Sequence, residues 1–296
     1  MSRLSEIESF IAVAQSGSIT GGALKLGVAK SAVSRRLSDL EARLGVQLIQ
    51  RTTRQSRLTE EGARYLENTT AALDALDAAE DALHEQQCNL FGTLRVTAPV
   101  SYALTRLQPI FAKFMTDHPD VDLFADFSDR RVDLVQDGFD LAIRIGEMTD
   151  SSLIASKVAS VRHRCVASPA FWQQYGLPKT ALDLEKLPFL RYHNLRQRGV
   201  VNFTDPNGTK GKIKPHQRAS ASNGDFLAQM ALNDLGFLIE PDFISDHLIA
   251  TGQLQEVLMD YDWYHMDLFA VFPATRRKTR RAEMFVKYLK EGLHRE

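Results

Sequence analysis

The sequence predicts two architectures in one chain: an all-α winged helix-turn-helix N-terminal domain extended by a long linker helix, followed by a two-lobed α/β domain. Three observations carry this reading. Apolar residues recur at helical spacing up to about residue 87, they adopt alternating strand and helix patterns after Gly92, and the charge changes sign at the junction. Residues 1–66 hold ten Lys/Arg against six Asp/Glu, whereas residues 67–90 hold six acids and no Lys or Arg. A formal net charge of −1 therefore conceals a basic module, the electrostatic footprint of a nucleic-acid partner.

Leu4, Ile7, Phe10, Ile11 and Ala14 share one helix face until Gly17 stops the pattern, which predicts a first helix over 4–16. Ser18 or Thr20 caps a short second helix that ends at Gly27, a residue free to turn left-handed. A third helix runs from Lys30 to Leu44 with Val33, Leu37, Leu40 and Leu44 on its apolar stripe. Ser31, Ser34, Arg35 and Ser38 gather on the opposite face. Small hydroxyls let a helix lie deep in a major groove, and a guanidinium there reaches a guanine edge or a phosphate. A merely solvated face fits the same residues.

The segment after the third helix favours the groove. Arg51, Arg54 and Arg57, spaced by three in a β-prone polar stretch, predict a wing that tracks phosphates or enters the minor groove. Thr59-Glu60-Glu61-Gly62 reads as a helix start with a hydroxyl cap and early acids, and beyond Gly62 no Gly or Pro interrupts one long helix to about Gln87. Its Leu66, Thr69, Leu73, Leu76, Glu80 and Leu83 form a heptad seam weakened by Thr69 and Glu80, and its outer face is acidic, so it is read as a dimerisation helix. Beyond Gly92 the pattern gives a strand at 94–98, a helix carrying Leu104, Leu107, Ile110, Phe111 and Phe114, and strands at 121–127 and 140–145 around a short helix. Apolar segments near 163–168 and 265–272 flank a middle block with a helix over 224–235 and a strand over 236–239. A chain that enters a second α/β lobe and returns to the first leaves a cleft between them.

These residues resemble the LysR-type transcriptional regulators. The resemblance rests on Gly17-Ser18-Ile19-Thr20, Ala23 with Leu26, Ser31-Ala32-Val33-Ser34-Arg35, Leu40-Glu41, Leu44-Gly45-Val46, Leu48 with Arg51, and Leu58-Thr59 with Gly62. It continues in Gly92-Thr93-Leu94-Arg95-Val96, in Asp133-Leu134, and in Gly138-Phe139-Asp140-Leu141-Ala142-Ile143-Arg144. It implies a sequence-specific regulator of transcription with a periplasmic-binding-protein-like, two-lobed α/β effector-binding domain, and a linker helix that pairs subunits. The expected division is 1–61 for DNA binding, 62–90 for the linker and 91–296 for the effector. Within the last, one lobe takes about 91–162 and 268–296, and the other about 163–267. The chain departs from the family pattern at Gly21 and Gly22, where Ala is usual and which weaken the second helix. Ala29 replaces a hydroxyl cap, Lys30 replaces a common Gln, and Ile49 replaces an aromatic.

The expected DNA contacts are therefore Lys30, Ser31, Ser34, Arg35, Ser38, Arg51, Arg54 and Arg57, on double-stranded DNA. For the effector, Ser101 and Tyr102 open one helix after a strand, Ser128 ends a strand, and Ser222 and Asn223 open another helix. Helix starts attract anions, so the expectation is a small-molecule effector, a small carboxylate, although Ser101, Ser222 and Asn223 also suit plain helix caps. An α/β binding protein or enzyme carrying an accessory basic domain is the rival reading. No Gly-x-Ser-x-Gly, His-Glu-x-x-His, phosphate-loop or Gly-x-Gly-x-x-Gly motif occurs, so no enzyme and no cofactor is expected. The Gly208–Lys212 stretch reads as a hairpin turn, and His163 with Cys165 as ordinary strand residues rather than metal ligands. Cys88 and Cys165 form no framework, and no apolar run reaches the ~18 residues needed to cross a bilayer, so the expected setting is cytoplasmic, with no membrane and a homodimer or homotetramer.

Overall fold

The structure is a computed structural model that describes residues 2–51, 56–83, 90–130, 132–135, 137–146, 148, 153–194, 199–274 and 278–293. Helices α1 (Arg3–Ser16), α2 (Ile19–Leu26) and α3 (Lys30–Leu44) are separated by left-handed glycines at 17 and 27, and a third, Gly45, ends α3. Of the two candidate caps for α2, Ser18 is the one used, its hydroxyl accepting from the Gly21 N–H. The glycines that looked like a weakness have a packing reason. A Cβ at Gly22 would lie 2.8 Å from a Val13 methyl and 2.9 Å from the Val13 nitrogen, so α2 crosses α1 where only glycine fits. Phe10, Val13, Val33, Leu37, Leu40, Leu48 and Ile49 form the core beneath.

Strands β1 (Ile49–Arg51) and β2 (Ser56–Leu58) pair antiparallel as the base of the wing. Glu41 positions it from α3, accepting from the Leu48 and Ile49 N–H groups at 2.8 and 3.0 Å. Helix α4 (Glu60–Leu83) starts as expected directly after Thr59, whose hydroxyl caps it by accepting from the Gly62 N–H. A Cβ at Gly62 would overlap the Leu48 carbonyl, so the helix can start this close to the wing only with glycine there. The expected C-terminal end near Gln87 and the residue Cys88 lie outside the described residues.

Strand β3 (Gly92–Ala98) leads into one helical run made of α5 (Val100–Tyr102), a π turn at Ala103–Leu107 and α6 (Gln108–Asp117). Pro109 explains the widened turn: it has no N–H and its ring crowds the carbonyl four residues back, which a π turn relieves. The turn corrects the expectation of a uniform apolar stripe, since Leu104 faces outward and is exposed while Leu107 is buried. Strands β4 (Val121–Phe127) and β5 (Leu141–Ile145) come next, and the short helix expected between them is absent from the described residues, which form turns there.

The chain then passes through β6 (Leu153–Val161) and β7 (His163–Ala167), α7 (Pro169–Tyr175), and β8 (Pro188–Tyr192) to β11 (His216–Ala221), with β9 (Val201–Thr204) and β10 (Lys210–Ile213) forming a hairpin. Its turn holds Gly208 at φ +81°, in agreement with the expected hairpin. Helix α8 (Gly224–Leu232), β12 (Leu238–Pro241), α9 (Asp242–Ala250) and β13 (Gln255–Val257) precede β14 (Met266–Pro273) and α10 (Arg280–Leu293). Five strands in the order β4-β3-β5-β14-β6 make one sheet, and β12-β7-β13 make the other. β14 lies between β5 and β6, so the chain returns to the first sheet after building the second. One apolar core joins them, with Leu94, Leu107 and Phe285 on one side and Leu227, Leu238 and Ile244 on the other.

Candidate nucleic-acid interface and effector site

On α3, Val33, Leu37 and Leu40 are fully buried, while Lys30, Ser31, Arg35 and Ser38 are exposed and Ser34 is half-buried. The helical period alone produces this division, since residues one turn apart share a face. Arg35 has 77% of its side chain exposed and only a loose 3.9 Å ion pair with Asp39, so its guanidinium is available to a ligand. The Ser38 hydroxyl donates to the Ser34 carbonyl at 3.0 Å, which keeps it close to the helix surface. Ala29 makes no side-chain cap, leaving the α3 N-terminus open beside Lys30. Arg51 and Arg57 lie on the wing strands, Arg57 exposed, whereas Arg54 lies outside the described residues.

Two basic residues of the same segment serve the fold instead. Arg43 donates twice to Glu6 Oε2, from Nε at 3.1 Å and from Nη2 at 2.8 Å, and Arg36 turns inward toward Ser9. Sequence reasoning missed Glu6 and Glu41 because their partners lie 37 and 7–8 residues away and carry no local signature.

The effector residues come together only in part. Ser101 on α5 and Asn223 ahead of α8 are drawn to one place where the two sheets meet, since the Ser101 hydroxyl donates to the Asp225 carboxylate. Asn223 is a helix cap, accepting from the Phe226 N–H at 2.9 Å. Tyr102 is buried and packs edge-on against Phe243 of α9 at 4.9 Å, a core contact that ties the two lobes. Ser222 is exposed, and its carbonyl accepts from Asn194, whose amide also donates to the Tyr192 hydroxyl. Ser128 comes directly after β4, and its hydroxyl accepts from the Arg130 N–H.

Three acids that sequence reasoning missed define this place. Asp129 accepts from the Val100 N–H at 3.1 Å, so the start of α5 is already met by a carboxylate of the chain. Asp225 stands in the first turn of α8. Glu240, on β12, is 3% exposed and presses against Gly224, where a Cβ would overlap its Oε1. Burial, reinforced by Asp225, pushes the Glu240 carboxyl well above the usual carboxylate range. Tyr192 is held above its ordinary value by burial first and then by Asp129 and Glu240. In the structure the hydroxyl and the two helix starts of the expected carboxylate site already have partners within the chain.

His163 and Cys165 are both buried in β7. His163 Nδ1 lies 3.2 Å from the Tyr264 carbonyl, and among the described residues no group of three or more His, Cys, Asp or Glu could hold a metal ion.

Known proteins share both halves of this geometry. Residues 4–63 match the family described as "Bacterial regulatory helix-turn-helix protein, lysR family", and residues 89–294 match the "LysR substrate binding domain". The transcriptional regulator CrgA of Neisseria meningitidis serogroup C is 34% identical over 292 residues, covering 97% of this chain and 96% of CrgA. A transcriptional regulator of Haemophilus influenzae is 32% identical over 278 residues, covering 93% of this chain and 96% of its own. The solved structure of CrgA superposes with a TM-score of 0.60 at 32% identity over 99% of both chains. A full-length AphB variant shares the fold at a TM-score of 0.70 over 98% of both chains. No described helix is long and apolar enough to cross a membrane. With both of its parts matched in order along the chain, this protein belongs to the LysR-type transcriptional regulators, DNA-binding proteins that carry an effector-binding domain.

Proposed function

We propose that the chain reads double-stranded DNA by laying α3 in the major groove. Ser31, Ser34 and Arg35 meet base edges there with Ser38 beside them, while Lys30, Arg51, Arg54 and Arg57 neutralise phosphates or enter the minor groove from the wing. The observation that carries this reading is the division of α3 into a buried apolar stripe and a polar face with an uncommitted Arg35. Residues 1–61 bind DNA, 62–90 link and dimerise, and 91–296 bind the effector, with one lobe at about 91–162 and 268–296 and the other at about 163–267. The regulator works in the cytoplasm as a homodimer or a homotetramer built from dimers. It acts by occupancy rather than by catalysis and uses no cofactor.

A small molecule bound where Ser101, Tyr102, Ser128, Ser222 and Asn223 lie sets the balance between DNA-binding states, in the sense that it favours whichever state holds it more tightly. A small carboxylate does not suit this place, because the acids around it repel one. The test is selection of bound fragments from random double-stranded DNA by the purified full-length protein. The expected result is a twofold-symmetric sequence with half-sites one helical turn or a multiple apart. Recovery of no enriched sequence would overturn the reading.

A further inference from the structure

Glu240 is a buried acid with an unanswered oxygen. Its Oε1 has no hydrogen-bond partner and no solvent, and it points at the start of α8 immediately behind Asp225. The arginine opposite it on β7, Arg164, gives its two terminal nitrogens to Glu256 at 2.6 Å and Asp246 at 2.9 Å, while its Nε is buried without a partner. The titratable groups acting with Glu240 are Asp225 on α8, Tyr192 on β8 and Tyr264 ahead of β14, none of them a cation. A buried acceptor left unpaired costs stability, and a fold keeps such a group where something else satisfies it.

We propose that the cleft selects an organic cation, a small molecule whose ammonium or guanidinium group sits between Glu240 and Asp225. The inference rests on the effector-cleft reading and names the class of effector. The ligand's N–H donors satisfy Glu240 Oε1 and the exposed side of Asp225, and Ser101 holds the second Asp225 oxygen in place from the other lobe. The half-buried Tyr192 ring offers carbon surface to the rest of the molecule. A bare metal ion does not suit the place, because no described group of three His, Cys, Asp or Glu is there to complete its shell. Burial raises the Glu240 carboxyl well above its usual range and a cation beside it favours the ionised form, so binding is coupled to proton release.

The test uses the purified full-length protein with five probes at millimolar concentration: n-butylamine, 1,4-diaminobutane, butylguanidine, butyrate and succinate. Thermal melting and titration calorimetry are read in two buffers of different ionisation enthalpy. The amines and butylguanidine should raise the melting midpoint saturably, with proton release, while butyrate and succinate leave it unchanged. Glu240→Gln, isosteric and uncharged, should cost the amines at least tenfold in affinity and abolish the proton release. Asp225→Asn, at an exposed position, should weaken them several-fold and carries the test should Glu240→Gln fold poorly. A shift from butyrate or succinate alone would keep the effector cleft and overturn the cation. Silence from all five probes would overturn both. Amine affinity retained by both variants would place the cation elsewhere and overturn the assignment.

Discussion

At the scale of single residues, the same side chain type does different work according to what the helix period gives it. Arg36 and Arg43 turn to Ser9 and Glu6, whereas Arg35 faces out, and only the outward one is available to DNA. Arg35→Ala should cost about 1–3 kcal/mol on the selected operator and relax preference at one position, read by competition against random DNA. Arg57→Ala should weaken all sequences alike and lower the slope of log affinity against log salt by about 1. Unchanged affinity and preference in Arg35→Ala would remove α3 from the interface. Glycines are equally specific in their roles: Gly62→Ala forces a methyl into the Leu48 carbonyl and should cost about 1–3 kcal/mol of stability by denaturant melting. His163 gives a pH prediction. Burial is the main cause that lowers its pKa to about 3, against about 6.5 in an unfolded chain, so the folded protein binds fewer protons than the unfolded one between those values. The contribution of His163 to stability therefore rises with pH across that window and is lost as the pH falls from about 6.5 toward 3, by on the order of 1 kcal/mol per unit, while Glu240, whose carboxyl pKa is raised by burial, contributes with the opposite sign. Chemical denaturation from pH 7 to 5 should show the His163 slope as the difference between the wild type and His163→Gln.

At the scale of elements, α4 changes partner along its length. Leu66 belongs to the N-terminal core and the Thr69 and Thr70 hydroxyls donate back to Tyr65 and Leu66, but Leu73 is half-buried and Leu76 is 47% exposed. On the proposed dimerisation reading, Leu73 and Leu76 lie on the heptad seam that a second copy covers. Paired Leu73→Glu and Leu76→Glu should lower the dimer population at least tenfold and weaken operator binding with it. Analytical ultracentrifugation that finds the assembly unchanged would refute the seam. The N-terminal elements were legible because their signals are local: the α3 bounds, the left-handed glycines and the Ser18 cap are all set by neighbours within four residues. Elsewhere the local pattern misled. Pro109 widened a helix that apolar spacing alone made regular, and turns replaced a helix between β4 and β5. The acids of the cleft were illegible for a different reason, since Asp129 belongs to one lobe and Asp225 and Glu240 to the other, and only the packing of the two lobes brings them together.

For the whole molecule, the arrangement of cores decides what unfolds together. The two sheets of the C-terminal part share one apolar cluster, with Leu94 and Phe285 packed in common with Leu227 and Leu238, and the lobes are further tied by the 3.2 Å Arg106–Asp246 pair and by Tyr102 against Phe243. The N-terminal helices bury a separate cluster around Phe10, Leu37 and Leu40. Where the two parts meet, two polar contacts stand out: Gln15 rests on Gly138, and Lys25 faces Asp137. Contacts of that kind contribute about 0–1 kcal/mol each and do not fuse two apolar cores into one cooperative unit. Calorimetry should therefore resolve two transitions, one for the N-terminal part and one for both lobes together. Leu37→Ala, at a fully buried position, should lose about 2–5 kcal/mol from the first transition and leave the second within about 0.5 kcal/mol. Leu227→Ala should do the reverse, and it should lower both lobes at once, because its side chain belongs to the core they share. A single transition moved equally by both substitutions would mean that the polar contact couples the parts more strongly than its chemistry allows. A third transition, moved by Leu227→Ala alone, would mean that the shared cluster does not join the lobes.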